Sequence, residues 1–74
     1  MSTIFAGKRD PRIDPREGDS IRQVSAERVM ERTVTIRLGD QLGYTRRPDG
    51  PVVPCTLKQW RAWAANARIL KIST

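Results

Sequence analysis

Apolar and polar positions alternate along much of this chain, and only one stretch repeats its apolar residues at helical spacing. The clearest alternation is Thr33-Val34-Thr35-Ile36-Arg37-Leu38, which predicts a strand buried on one face. In that phase Val34, Ile36 and Leu38 point one way and Thr33, Thr35 and Arg37 the other. The strand extends back to Val29. Gly39-Asp40 interrupts it, and Gln41-Leu42-Gly43-Tyr44-Thr45-Arg46 resumes the pattern. A two-residue connection with glycine first suits a type II′ hairpin. Leu42 and Tyr44 then meet Val34 and Ile36, and Gly43 within the strand predicts a bulge or a sharp bend.

Weaker patterns flank this hairpin. Glu17-Gly18-Asp19 reads as a turn that launches a strand over Ser20–Val24. Ser25 to Arg28 reads as a loop, with a short helical turn as the alternative. Arg47-Pro48-Asp49-Gly50-Pro51 is the clearest turn, since it combines a fixed φ, a capping side chain and a permissive glycine. Val52 to Cys55 follows as a short strand, and Pro54, which donates nothing to a ladder, places it at an edge. A last strand, Ala67 to Ile72, closes the chain and brings Ile69 into the core.

The helical stretch is Cys55 to Ala67. Thr56 and Gln59 form a Thr-x-x-Gln capping box. At helical spacing Leu57, Trp60, Trp63, Ala64 and Ala67 fall on one stripe about 120° wide, and Lys58 and Arg61 fall opposite it. The predicted helix spans about three turns. Trp60 reads as the plug of the core. Trp63, at the stripe's edge, is the better candidate for partner contact.

Strand, long strand, hairpin partner, short strand, helix and last strand give a mainly β fold (α+β by content). The element order fits a small SH3-like barrel, or else a curved antiparallel sheet of about five strands with one helix before the last strand. The predicted core is Val34, Ile36, Leu42, Tyr44, Leu57, Trp60 and Ile69. The domain runs from residue 18 to 74. Residues 1–17, with Asp-Pro-Arg twice around Ile13, read as an extended and mostly solvated arm, flexible over its first nine residues and anchored, if at all, by Ile13.

Composition narrows the function classes. With 74 residues and only 5% aromatics, the core is small, and self-association is one way to add stability. There is no histidine and a single cysteine, so the residues predict no disulfide, no Cys/His metal site, no cofactor and no Ser-His or Cys-His pair. Cys55 reads as a small hydrophobe at a strand end, although the helix N-terminus beside it favours a lowered pKa. No run is long and apolar enough to span a membrane. The lone cysteine and the N-terminal pattern read as a soluble, cytoplasmic protein.

Charge is uneven. Residues 1–31 hold six bases and six acids; residues 32–74 hold eight bases (Arg32, Arg37, Arg46, Arg47, Lys58, Arg61, Arg68, Lys71) and two acids (Asp40, Asp49). The whole net charge of +6 therefore lies in the second half. Arg37, Arg46, Arg47, Lys58 and Arg61 are the candidate basic binding face.

Gly18-Asp19 before a strand, Arg32-Thr33-Val34-Thr35, and Gly39-Asp40 resemble the short barrels of KOW-type ribosomal and transcription-elongation modules. The segment Cys55-Thr56-Leu57, Trp60, Trp63-Ala64 resembles the end of small phage and prophage proteins. The resemblance implies a fold more than an activity. The first functional reading is a non-enzymatic protein-interaction or assembly module, its edge strand at Val52 to Cys55 open to strand addition. The second is a nucleic-acid-binding module on the basic face.

Overall fold

A computed structural model describes residues 9–73. Five antiparallel strands form one sheet, and a single helix precedes the last strand. The elements are β1 (Ser20–Val24), β2 (Val29–Leu38), β3 (Gln41–Thr45), β4 (Val53–Thr56), α1 (Leu57–Ala64) and β5 (Arg68–Lys71). Their spatial order is β4-β3-β2-β1-β5. The long β2 serves two neighbours: its first half pairs with β1 and its second with β3. Among the described residues no ladder joins β4 to β5, and α1 connects them instead.

The hairpin after β2 turns as its residues require. Gly39 lies at φ +59, and Asp40 does not enter the left-handed region, the φ pattern of a type II′ turn. Thr56 caps α1: its hydroxyl accepts from the Gln59 N–H at 3.1 Å, and the Gln59 side-chain Oε1 accepts from the Thr56 N–H at 2.9 Å. The helix is shorter than its apolar stripe predicts. It ends at Ala64, where Gln23 of β1 donates to the Trp63 carbonyl at 3.1 Å, satisfying a last-turn acceptor from outside. The Ala67 N–H then bonds the Ala64 carbonyl and turns the chain into β5.

The core lies between the sheet's inner face and α1. It holds Ile21, Val34, Leu42, Tyr44, Leu57, Trp60, Ala64 and Ala67, with Val53, Cys55 and Trp63 packed against it. Trp60 is fully enclosed, its ring 5.9 Å from Tyr44 and 5.6 Å from Trp63. Ile69 pairs across from Ile21 but is only half-buried.

Ile36 departs from the predicted core and is 45% exposed. The ladder passes from Val34↔Tyr44 to Ile36↔Gly43, leaving Thr35 without a partner. This bulge inserts one residue and reverses the phase of the strand beyond it. Arg37, not Ile36, then takes the position beside Leu42, and Ile36 and Leu38 turn to the outer face.

The N-terminal segment also departs from the predicted solvated arm. The first eight residues, where most of the expected flexibility was placed, lie outside the described residues. Residues 9–19 form a packed loop. Pro11 and Pro15 are fully buried, whereas Ile13, the expected anchor, is 56% exposed. Proline rings bury apolar area with little side-chain entropy to lose, and the backbone around them supplies acceptors. The Trp60 Nε1–H donates to the Pro11 carbonyl at 3.0 Å, and Arg61 Nε to the Ile13 carbonyl at 2.7 Å.

Asp19 fastens this loop to β2 and to the segment that follows β5. Its carboxylate is fully buried and accepts from the Arg9 guanidinium, from the Arg16 N–H at 2.7 Å and from the Ser73 N–H at 2.7 Å. Its own carbonyl accepts from the Val34 N–H at 2.9 Å. Gly18, at φ +96, allows the turn into this position.

Candidate binding site

The five bases of the candidate face do not converge. Arg37 is taken up inside the fold. It donates to Asp14 Oδ1 at 2.8 Å, to the Pro15 carbonyl at 2.6 Å and to the Gly39 carbonyl at 2.5 Å. The Arg37 hydrogen bond, with Arg16 and Arg9 nearby, holds the Asp14 carboxyl below its ordinary range. Lys58 and Arg61 stand on the exposed side of α1, beside a hollow with Asp40, Gln41, Thr56 and Leu57, and Arg61 is tied to Ile13. Arg46 and Arg47 stand exposed at the other end of β3, around a separate hollow lined also by Gly50, Pro51 and Val53. Among the described residues neither side chain has a hydrogen-bonded or ion-pair partner.

The reversal of β2 creates a surface that alternation alone does not predict. On the outer face Ile36 lies across from Gly43, and Pro54 lies across from it on the far side. A β-carbon on Gly43 would stand 2.7 Å from a Val52 methyl and 3.1 Å from an Ile36 methyl. The missing side chain therefore lets Val52 and Ile36 close over the backbone. Leu38, two residues along β2, extends the same face and is 69% exposed; Val52 is 55% exposed. Ile36, Leu38, Val52 and Pro54 thus form an exposed apolar patch beside the turn that carries Arg46 and Arg47.

β4 lies at the sheet edge, where Pro54 placed it, but it is a poor template for strand addition. Pro54 has no N–H, and the Thr56 N–H already bonds Gln59. The opposite edge, β5, carries Arg68 and Lys71, charges that discourage pairing.

Trp63 is half-buried against the core. Its neighbour is Arg32, which the residue pattern did not single out. The Arg32 guanidinium carbon lies 4.0 Å from the Trp63 ring centre and 4.4 Å from that of Tyr44. Its position was legible: Arg32 is in phase with Val34, so it faces inward one step beyond the core. Cys55 is half-buried, and burial raises its thiol pKa, outweighing the nearby Arg32. The lowering expected from the helix N-terminus does not occur.

Among the described residues no three His, Cys, Asp or Glu side chains are grouped to hold a metal, and no helix is long and apolar enough to cross a membrane. Compared with known protein families, curated proteins and solved structures, the chain matches none.

Proposed function

We propose that this chain is a non-enzymatic protein-interaction module that docks an acidic, apolar-bearing segment of a partner on the outer face of β2, β3 and β4. The observation that carries this reading is the apolar patch of Ile36, Leu38, Val52 and Pro54 beside the unpartnered Arg46 and Arg47. Large apolar side chains grouped on a surface and bordered by charge mark interaction sites. The rim selects the occupant. Two copies meeting through this patch would bring their own Arg46 and Arg47 together, and like charges across an interface are costly. Carboxylates beside apolar side chains complement it. The Cys55 to Ala64 segment supports a phage or prophage origin within the same proposal.

Selection of short displayed peptides on the intact protein tests this. Enriched peptides should combine Leu, Ile or Phe with Asp or Glu. The double variant Leu38→Asp, Val52→Asp should lose roughly tenfold or more in affinity at an unchanged melting temperature, because both side chains are exposed. No enrichment, or peptides indifferent to both changes, would remove the reading. Self-association abolished by the same changes would replace the acidic partner with a second copy.

A second reading, nucleic-acid contact, is favoured by Arg28, Arg32, Arg46 and Arg47, whose guanidinium groups lack carboxylate partners among the described residues. It predicts a band shift that weakens steeply with salt and ignores Leu38→Asp.

A further inference from the structure

We propose that Arg32 is the floor of an oxyanion-binding site, which shares only Arg46 with the rim of the outer-face patch, that takes the carboxylate or phosphate group of a ligand. The guanidinium carbon lies over both aromatic rings, and cation–π contact leaves N–H groups of the fork available. Among the described residues those groups meet no acceptor: Arg32 makes no hydrogen bond and no ion pair. The other arginines that pack inward each have one. Arg9 has Asp19, Arg12 has Asp10 and Arg37 has Asp14. Removing a cation from water without a counter-charge is unfavourable, and a bound anion supplies one.

The surroundings favour an anion from outside. The pairing Thr33↔Thr45, continued by one residue, sets Arg46 beside Arg32. Arg28 lines the same hollow, together with Val29, Met30 and Glu31. The hollow of about 190 Å³ has room for a carboxylate or a phosphate group. Glu31 does not neutralise Arg32, because its carboxylate accepts two bonds from Arg22. Cys55 does not either, since burial keeps it a neutral thiol. The planar fork of Arg32 suits two-pronged contact with a carboxylate or phosphate, and Arg46 adds a second charge.

Because Trp63 stacks on Arg32, its fluorescence reports occupancy. The intact protein is titrated with inorganic phosphate and, separately, with acetate, against sodium chloride at matched ionic strength. A saturable change with either oxyanion, absent with chloride, is the expected result, and the stronger of the two identifies a phosphorylated or an acidic ligand. Arg32→Lys should weaken binding and Arg32→Met abolish it. Should Arg32→Met lower the melting temperature, Arg46→Gln keeps the test decisive: it alters an exposed side chain and should weaken binding several-fold while the melting temperature holds. No oxyanion-specific response in the unaltered protein would overturn the proposal, as would affinity unchanged in both Arg32→Met and Arg46→Gln.

Discussion

Replacing Trp60 with alanine should unfold this protein at physiological temperature. The side chain is fully enclosed and packs between Tyr44 and Trp63. Truncating a buried aromatic to alanine costs about 3–5 kcal/mol through lost burial and the cavity left behind. Domains in general hold only about 5–15 kcal/mol, and one this short lies toward the low end. The indole also donates to the Pro11 carbonyl, so the truncation detaches the N-terminal loop and leaves a buried acceptor unpaired. Trp60→Phe separates the two effects, since it keeps most of the ring and loses the hydrogen bond. In thermal melts followed by circular dichroism, Trp60→Ala should show little or no cooperative transition and Trp60→Phe an intermediate one. An unchanged transition for Trp60→Ala would mean that the core is organised around something else.

Asp19→Asn should cost nearly as much while altering hardly any volume. The native carboxylate accepts from the Arg9 guanidinium and from two backbone N–H groups, of Arg16 and Ser73. An amide offers one acceptor oxygen and turns an NH₂ group toward a donor. Breaking a buried pair by removing one charge costs about 3–5 kcal/mol, because the partner remains buried and uncompensated. Arg9 is itself only 12% exposed. Arg9→Met should be milder, since Asp19 keeps both backbone donors. Urea denaturation should show a large fall in midpoint for Asp19→Asn and a smaller one for Arg9→Met, with similar slopes. A midpoint for Asp19→Asn within error of the unaltered protein would show that the loop is not held through this carboxylate.

Trp60 and Asp19 differ in how far the residue pattern reveals them, and the difference runs through the whole fold. Local signals carried the elements well. Alternation located β2 and β3, Thr56 and Gln59 located the start of α1, and Pro54 placed β4 at an edge. What they did not carry came from contacts distant in sequence. The bulge at Thr35 depends on how β3 sits against β2, and one inserted residue sent Ile36 and Leu38 outward. Gly43 was the sole local sign of it, and that sign pointed to a bulge or bend in β3, whereas the extra residue lies opposite, in β2. The N-terminal loop looked solvated because its charges nearly cancel and its prolines break regular structure. Its order comes from Trp60, Arg61 and Ser73, which lie 49, 48 and 54 residues from their partners in it or at its end.

The candidate site shows the same division. Counting charge found the basic half of the chain but not which bases were already used. Arg37 and Arg61 bond the N-terminal loop, whereas the side chains of Arg46 and Arg47 have no partner among the described residues. Arg32 lies outside the candidate basic face, although its phase with Val34 points it inward. The proposed binding surface is therefore smaller than the net charge suggests, and it combines the apolar outer face with the rim at Arg46 and Arg47.

The division of the arginines into those that hold the fold and those that face a partner is best tested by measuring melting temperature and peptide affinity together. The comparison sets Arg37→Ala against the double variant Arg46→Ala, Arg47→Ala, with calorimetric titration of a selected acidic, apolar peptide. Arg37→Ala should lower the melting temperature and leave the affinity of the folded protein unchanged. The double variant should melt as the unaltered protein does and bind roughly tenfold more weakly or worse. Full affinity in the double variant, or loss of binding without loss of stability in Arg37→Ala, would contradict this division.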